Sequence, residues 1–495
     1  MELQFKKKTC NYVQELVCQC TERELTDEIR LTDNMEDIGR VLGAWGQVLI
    51  RGKEWRPDRV AVSGGVMVWV LYMPENGIQP QMTEAWLPFQ EQWPIEDTQR
   101  DGSIVVTGHL TFCDARSVSA RKLMLRAGLC LDVHVYAPGS ECLYVPEQLP
   151  ENVQVHTVSY PVLLPAEAGE KSFTLDDQLP TPTGMPGIHK LLRYNILPQI
   201  METRVSGGRV IFRGVGILHV MAMDEEGQLH SFDMELPFSQ YAQLDREYGE
   251  DAEATVGLAV TNLELETGEN QMFAVKCGLS GQYVIRERTQ FAVTEDAYCP
   301  GHELEMNKCC MSFPTVLEEK CTDISVRRQN PCDGVRIADV EFVTCAPEAR
   351  STEDGTELVL GGRFYILYYD RQGQLRSMTV KWEQPEQLVH HKTARIRPSV
   401  TACGKATATL TEAQGQLKLC YSCLSSQGLE MVSSITVGAE TVRDQDQPAM
   451  VVRKAGKDGL WAIAKKTGST VEAIRTMNGI SGEPDPEQIL LIPIV

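Results

Sequence analysis

The residues of this chain best suited to chemistry are its sixteen cysteines, and their spacing decides what that chemistry can be. Cys420 and Cys423 have the spacing of a metal knuckle or a redox pair. They lie in Leu417-Lys-Leu-Cys-Tyr-Ser-Cys423, whose alternation reads as a strand and turns the two thiols to opposite faces. A redox pair would sit at a helix start, where a thiol is acidified. Cys299, Cys309, Cys310, Cys321 and Cys332 cluster without the paired spacing of a zinc site, and Cys10, Cys18 and Cys20 lack an evident fourth ligand. All three groups are read as free thiols packing as small apolar side chains, with no metal and no cofactor expected. His390 and His391 are adjacent, and neighbours in a strand face opposite ways. No P-loop, Gly-x-Ser-x-Gly, His-Glu-x-x-His or dinucleotide fingerprint occurs, so a non-enzymatic chain is expected.

The elements that carry these residues repeat. Val210 to Phe238 alternates apolar and polar residues on both sides of Asp224-Glu-Glu-Gly227, the pattern of two antiparallel strands and a turn. Ser63 to Phe89 and Leu360 to Trp382 repeat it, and the turn glycines Gly77, Gly227 and Gly373 are separated by 150 and 146 residues. A near-constant period of that length predicts tandem domains. The expected organisation is a polar lead-in over 1–24 with the composition of a short helix, then β-domains over 25–160, 161–310 and 311–447. Prolines 161, 165, 180, 182 and 186 predict a linker over 160–195, and Asp444 to Pro448 predicts another. Each domain reads as a small antiparallel sandwich or barrel, making the chain mainly β.

The last 48 residues, 448–495, read differently. Met450 to Arg453 is a short strand. Asp458 is placed to cap a helix with Leu460, Ile463 and Ala464 on its apolar face. Ser469-Thr-Val-Glu472 fits a capping box, Val471, Ile474 and Met477 make the buried stripe of a second helix, and Asn478-Gly479 ends it. Ile489 to Ile492 closes a β-α-α-β order.

This tail resembles the LysM domain through Leu460-Trp461-x-Ile463-Ala464-Lys465-Lys466, Gly468-x-Thr470-Val471-x-x-Ile474, Asn478-Gly479 and Ile489 to Pro493. It departs from the pattern at Lys457-Asp458-Gly459 and Glu487-Gln488, in the loops that border the glycan groove of sugar-binding members. The repeats resemble the SPOCS domain of spore-forming Firmicutes through the Gly-x-x-x-Val-x-x-Leu-Tyr hairpin core, Leu236-Pro-Phe238 and Asp296-Ala-Tyr298-x-Pro300. In the third repeat Trp382-Glu-Gln stands in for Leu-Pro-Phe. Tandem SPOCS domains ending in LysM are similar to the SipL-type spore coat morphogenetic proteins of Clostridia. That resemblance implies a protein of the mother-cell cytoplasm at the forespore surface, which binds the coat-assembly ATPase.

Net charge is −21, which disfavours nucleic acid, and no apolar run is long enough for a membrane span. The N-terminus has no apolar stretch of the kind a secretory signal carries, so reduced thiols and a cytoplasmic location are expected. Residues 451–495 carry a net charge of +1, leaving −22 elsewhere, so the tail is where an acidic partner meets least repulsion. Asp458, Leu460, Trp461, Lys465, Lys466, Arg475 and Asn478 are the expected partner-binding residues, with Trp461 as anchor and the cations as a steering rim. The alternative is a peptidoglycan-binding protein of the cell wall or spore envelope that uses the same module on glycan.

Overall fold

The computed structural model describes the chain except for residues 1, 4, 97–100, 151, 269–271, 353–354, 389–394, 442–447 and 495. The His390–His391 pair and most of the linker expected at 444–448 therefore lie outside the described residues.

A two-residue strand, β1 (Glu2–Leu3), precedes six longer ones: β2 (Phe5–Arg30), β3 (Ile38–Arg56), β4 (Arg59–Pro74), β5 (Gln81–Pro94), β6 (Ser103–Ser119) and β7 (Lys122–Pro146). Strands β3-β4-β5 form one antiparallel sheet, and β2-β7-β6 form a second with the last strand in its middle. The same pairing returns in β8 (Gln154–Pro180), β9 (Ile188–Ser206), β10 (Arg209–Asp224), β11 (Leu229–Gln243), β12 (Glu253–Thr267) and β13 (Met272–Tyr298), as β9-β10-β11 and β8-β13-β12. It returns again in β14 (His302–Gln329), β15 (Arg336–Thr344), β16 (Glu348–Ser351), β17 (Thr356–Tyr369), β18 (Leu375–Leu388), β19 (Arg395–Ala408) and β20 (Glu412–Glu440). There β15-β17-β18 is the meander, with β16 added along β17, and β14-β20-β19 is the second sheet, which β1 joins at β20. Among the described residues no helix is long and apolar enough to cross a membrane.

The three expected hairpins are β4-β5, β10-β11 and β17-β18. In the second and third groups the turn is built alike. Asp224 Oδ1 accepts from the amides of Glu226 and Gln228, and Asp370 Oδ1 accepts from those of Gln372 and Gln374. Gly227 and Gly373 follow at φ 80° and 73°, a conformation glycine adopts without strain. A second shared device lies in the ladder. Gly64, Gly214 and Gly362 stand opposite Phe89, Phe238 and Trp382. A Cβ at any of these glycines would come within 2.1 Å of a carbonyl on the neighbouring strand and within 2.9 Å of the aromatic ring. The register thus aligns Trp382 with Phe238, not with Leu236 as the written motif suggested. An indole fills the space of the phenyl ring, and the third hairpin differs less than its sequence implies.

Two other expectations differ from the structure. Residues 5–30 are a strand, not a lead-in or a helix; among the described residues β2 pairs only with β7, and its polarity is that of an exposed edge. Residues 154–180 are also a strand. Pro161 and Pro165 are accommodated on β8, an edge strand with a bulge beside Pro165, the positions in a sheet where proline is tolerated.

The two sheets of each group enclose an apolar layer, drawn from Val62, Val68, Leu125 and Val133 in the first group. Phe212, Val220, Phe273 and Leu279 fill the second, and Leu360, Phe364, Trp382 and Leu417 the third. Two further clusters join the groups. One combines Trp45, Trp69 and Leu71 with Leu192, Met221 and Met223 and with Ala338, Leu367 and Leu375. The other combines Leu143 with Val162, Phe291 and Val293 and with Met311, Leu429 and Met431. Strand β4 is apolar on both faces because one face looks into its own core and the other into the shared cluster.

The cysteine pattern departs from free thiols at one place. Cys321 and Cys420 are register partners on β14 and β20 and form a disulfide, while the other cysteines are unpaired by disulfide. Cys423 is buried on the opposite face from Cys420, as the alternation predicts.

Candidate interaction site

The C-terminal segment builds its site from β21 (Met450–Lys454), α1 (Leu460–Thr467), α2 (Val471–Asn478) and β22 (Ile489–Pro493). Leu460, Ile463, Ala464, Ile474, Leu490 and Ile492 are fully buried and form its core. Leu460 is therefore a packing residue. Met477, expected in the buried stripe, is 45% exposed. The caps also differ from expectation. Gly459 occupies the N-cap of α1, and Asp458 instead pairs with Arg453 at 3.0 Å. The carboxylate of Glu483 reaches across to accept from the Leu460 amide at 2.8 Å. Thr470, not Ser469, caps α2 by accepting from the Ala473 amide at 3.0 Å. Gly468 and Gly479 end the two helices at positive φ. Asn478 is structural: its amide group donates to the Leu491 carbonyl at 2.7 Å and accepts from the Leu491 amide at 2.8 Å, pinning α2 to β22.

Trp461 and Lys465 face back onto the second group of strands. The indole N–H donates to Asp296 Oδ2 at 2.9 Å, and Lys465 Nζ lies 2.7 Å from Asp296 Oδ1. The indole stacks on His156 with centroids 5.0 Å apart and meets the edge of Tyr298 at 4.8 Å. The Tyr298 hydroxyl donates to the Ser469 carbonyl at 2.9 Å. Burial alone would raise the Asp296 carboxyl; the bonds from Lys465 and Trp461 outweigh it and hold the pKa down. Asp296-Ala-Tyr298, one of the phrases behind the family resemblance, is thus the receptor for the C-terminal segment.

Lys466 and Arg475 remain exposed. So do Met450, Val452, Ile489 and Leu491, which alternate along β21 and β22 on the side opposite the buried residues. Val452 and Leu491 are register partners, and Ile489 is 64% exposed. These residues make one apolar sheet face.

A second polar site, which the sequence reading missed, sits where all three groups meet. Arg193 on β9 is 1% exposed; it pairs with Asp339 at 3.1 Å and with Glu341, both on β15. Its guanidinium lies 4.6 Å from the ring centre of Trp45 on β3. His219 Nδ1 is 2.6 Å from Asp233 Oδ1 and its Nε2 is 2.9 Å from Asp339 Oδ1, while Lys405 reaches the other oxygen of Asp233 at 2.8 Å. Burial would lower the His219 pKa, but Asp339 and Asp233 raise it to about 9 against the opposing Arg193 charge. Burial likewise disfavours ionised Asp339, yet Arg193 and His219 hold it at about 2.

The signs fix a pH window. The His219 contribution is complete below its ordinary value of 6.5 and is lost as pH rises through about 9. The Asp339 contribution is complete above its ordinary value of 3.8 and is lost as pH falls through about 2. Denaturation midpoints of wild type and His219→Gln, measured across pH, should differ most below about 6.5 and converge above about 9. A gap that widens with rising pH would contradict the assignment.

No family model, curated protein or solved structure matches this chain.

Proposed function

We propose that this chain is a non-enzymatic scaffold of spore coat assembly, in which three tandem SPOCS-like β-domains carry a LysM-like module that docks a coat-assembly ATPase. The observation that carries the reading is the free apolar face of β21 and β22 on a segment whose Trp461 side is anchored to the body of the chain. A module fixed on one side and apolar on the other is suited to hold a second protein in a defined orientation. Its basic balance on an acidic chain favours an acidic partner. Lys466 and Arg475 supply the steering charges, and Asp458 is tied to Arg453.

Two features favour protein over glycan. The Glu483–Leu460 bond crosses between the loops that frame a sugar groove in LysM modules, and Gly456 donates to the Pro486 carbonyl between the same loops. Glu487 is held by Lys454. The test is capture of the ATPase by the full chain against a chain ending at residue 447, with peptidoglycan sedimentation as the competing assay.

A further inference from the structure

The ladder between β2 and β7 contains an extra residue at Leu16. Glu15 pairs with Tyr136, but Val17 pairs with Val135 and Cys18 with His134. In a regular strand, residues three apart point to opposite faces. The bulge cancels that alternation and brings Glu15 and Cys18 to one face, beside His134. Their three ligand atoms all lie within 4.8 Å of one another.

We propose that Glu15, Cys18 and His134 form a binding site for a zinc-class divalent cation, with a fourth position left for water. One thiolate, one imidazole and one carboxylate are a borderline donor set that suits zinc, whereas calcium and magnesium favour all-oxygen shells. The surroundings have the outer partners such a site requires. A metal-bound imidazole ordinarily has its second nitrogen on a carboxylate, and His134 Nε2 lies 3.4 Å from Asp132 Oδ1 while Nδ1 faces Glu15 at 2.8 Å. A ligating carboxylate is ordinarily hydrogen-bonded in turn; Arg397 donates to Glu15 Oε2, and the Tyr136 hydroxyl donates to Oε1 at 3.3 Å. Glutamate and thiolate together balance a divalent charge, and the Arg397 and Asp132 charges offset each other. Arg397 lies on β19, so the site also ties the first group of strands to the third.

The test uses the full chain, kept reduced, stripped with chelator and titrated with Co2+. A site of this kind gives saturable binding at one equivalent, a thiolate-to-cobalt charge-transfer band in the near ultraviolet and displacement by Zn2+. Cys18→Ser should remove the band. Asp132→Asn, which leaves all three ligands in place, should weaken binding by about 10–100-fold. Two other thiols of the same sheet, Cys20 and Cys130, lie 3.1 Å apart and are the competing pair, so the double variant Cys20→Ser/Cys130→Ser should keep the band. Failure of the wild-type chain to bind Co2+ saturably overturns the proposal even if a variant misfolds. So does a band that survives Cys18→Ser and disappears in the double variant.

Discussion

Arg193→Ala is expected to cost about 3–5 kcal/mol, the range for breaking a buried ion pair by removing one partner. The reason is what remains behind. Asp339 is itself buried and stays ionised against Arg193 and His219, and without the guanidinium it is left with the imidazole and the Ser231 hydroxyl. Glu341 loses its partner and Trp45 loses the cation on its ring. Because Arg193, Trp45 and Asp339 come from three different groups of strands, the loss falls on their mutual packing more than on any one core. The measurement is a denaturant or thermal midpoint followed by a probe in each group; separation of one transition into two would show the groups uncoupling. Arg193→Lys should recover little, since an ammonium cannot fork to two carboxylates while stacking on an indole. A shift below about 1 kcal/mol for Arg193→Ala would contradict this account of the junction.

Trp461→Ala is expected to release the C-terminal segment from the body while leaving the segment folded. Trp461 only flanks the segment's core, whose fully buried members are Ala455, Leu460, Ile463, Ala464, Ile474, Leu490 and Ile492. Its own contacts are with His156, Asp296 and Tyr298 on the body. Truncating a central aromatic anchor costs roughly 2 kcal/mol or more, about a thirtyfold shift in the docked population. Lys465→Ala should cost less, because the Lys465–Asp296 pair is partly exposed and such pairs contribute about 1 kcal/mol or less. Hydrogen exchange should quicken at the 296–298 end of β13 and along α1 in Trp461→Ala, with helical signal retained. Unchanged exchange at both places would refute the docking role. Binding of the ATPase should persist in this variant, because the free face of β21 and β22 is untouched.

What was legible in the sequence follows the range of the forces involved. The paired turns at Gly227 and Gly373, the alternation that separates Cys420 from Cys423, and the helices ended by Gly468 and Gly479 are set by neighbours a few residues away, and each can be read locally. Strand β2 was hidden because an exposed edge strand has the composition of a polar tail. Asp458 looked like a cap because the true acceptor, Glu483, comes from a loop 23 residues after Leu460. The role of Trp461 depends on Asp296, 165 residues earlier, and Arg193 depends on Asp339, 146 residues later. Single charges inside apolar runs, as in Leu192-Arg-Tyr194 and Ala338-Asp-Val340, were the available sign of that junction. The bulge at Leu16 left no signal, since it appears only when β2 is laid against β7.

The most direct test of the scaffold reading is equilibrium binding of the coat-assembly ATPase to the full chain and to residues 1–447, with circular dichroism confirming that both retain their strands. The account predicts that the full chain binds and that removing residues 448–495 weakens binding by about a hundredfold or more, as loss of an entire anchoring patch should. Equal affinity of the two chains would contradict it, as would sedimentation of the full chain with peptidoglycan in the absence of any ATPase binding.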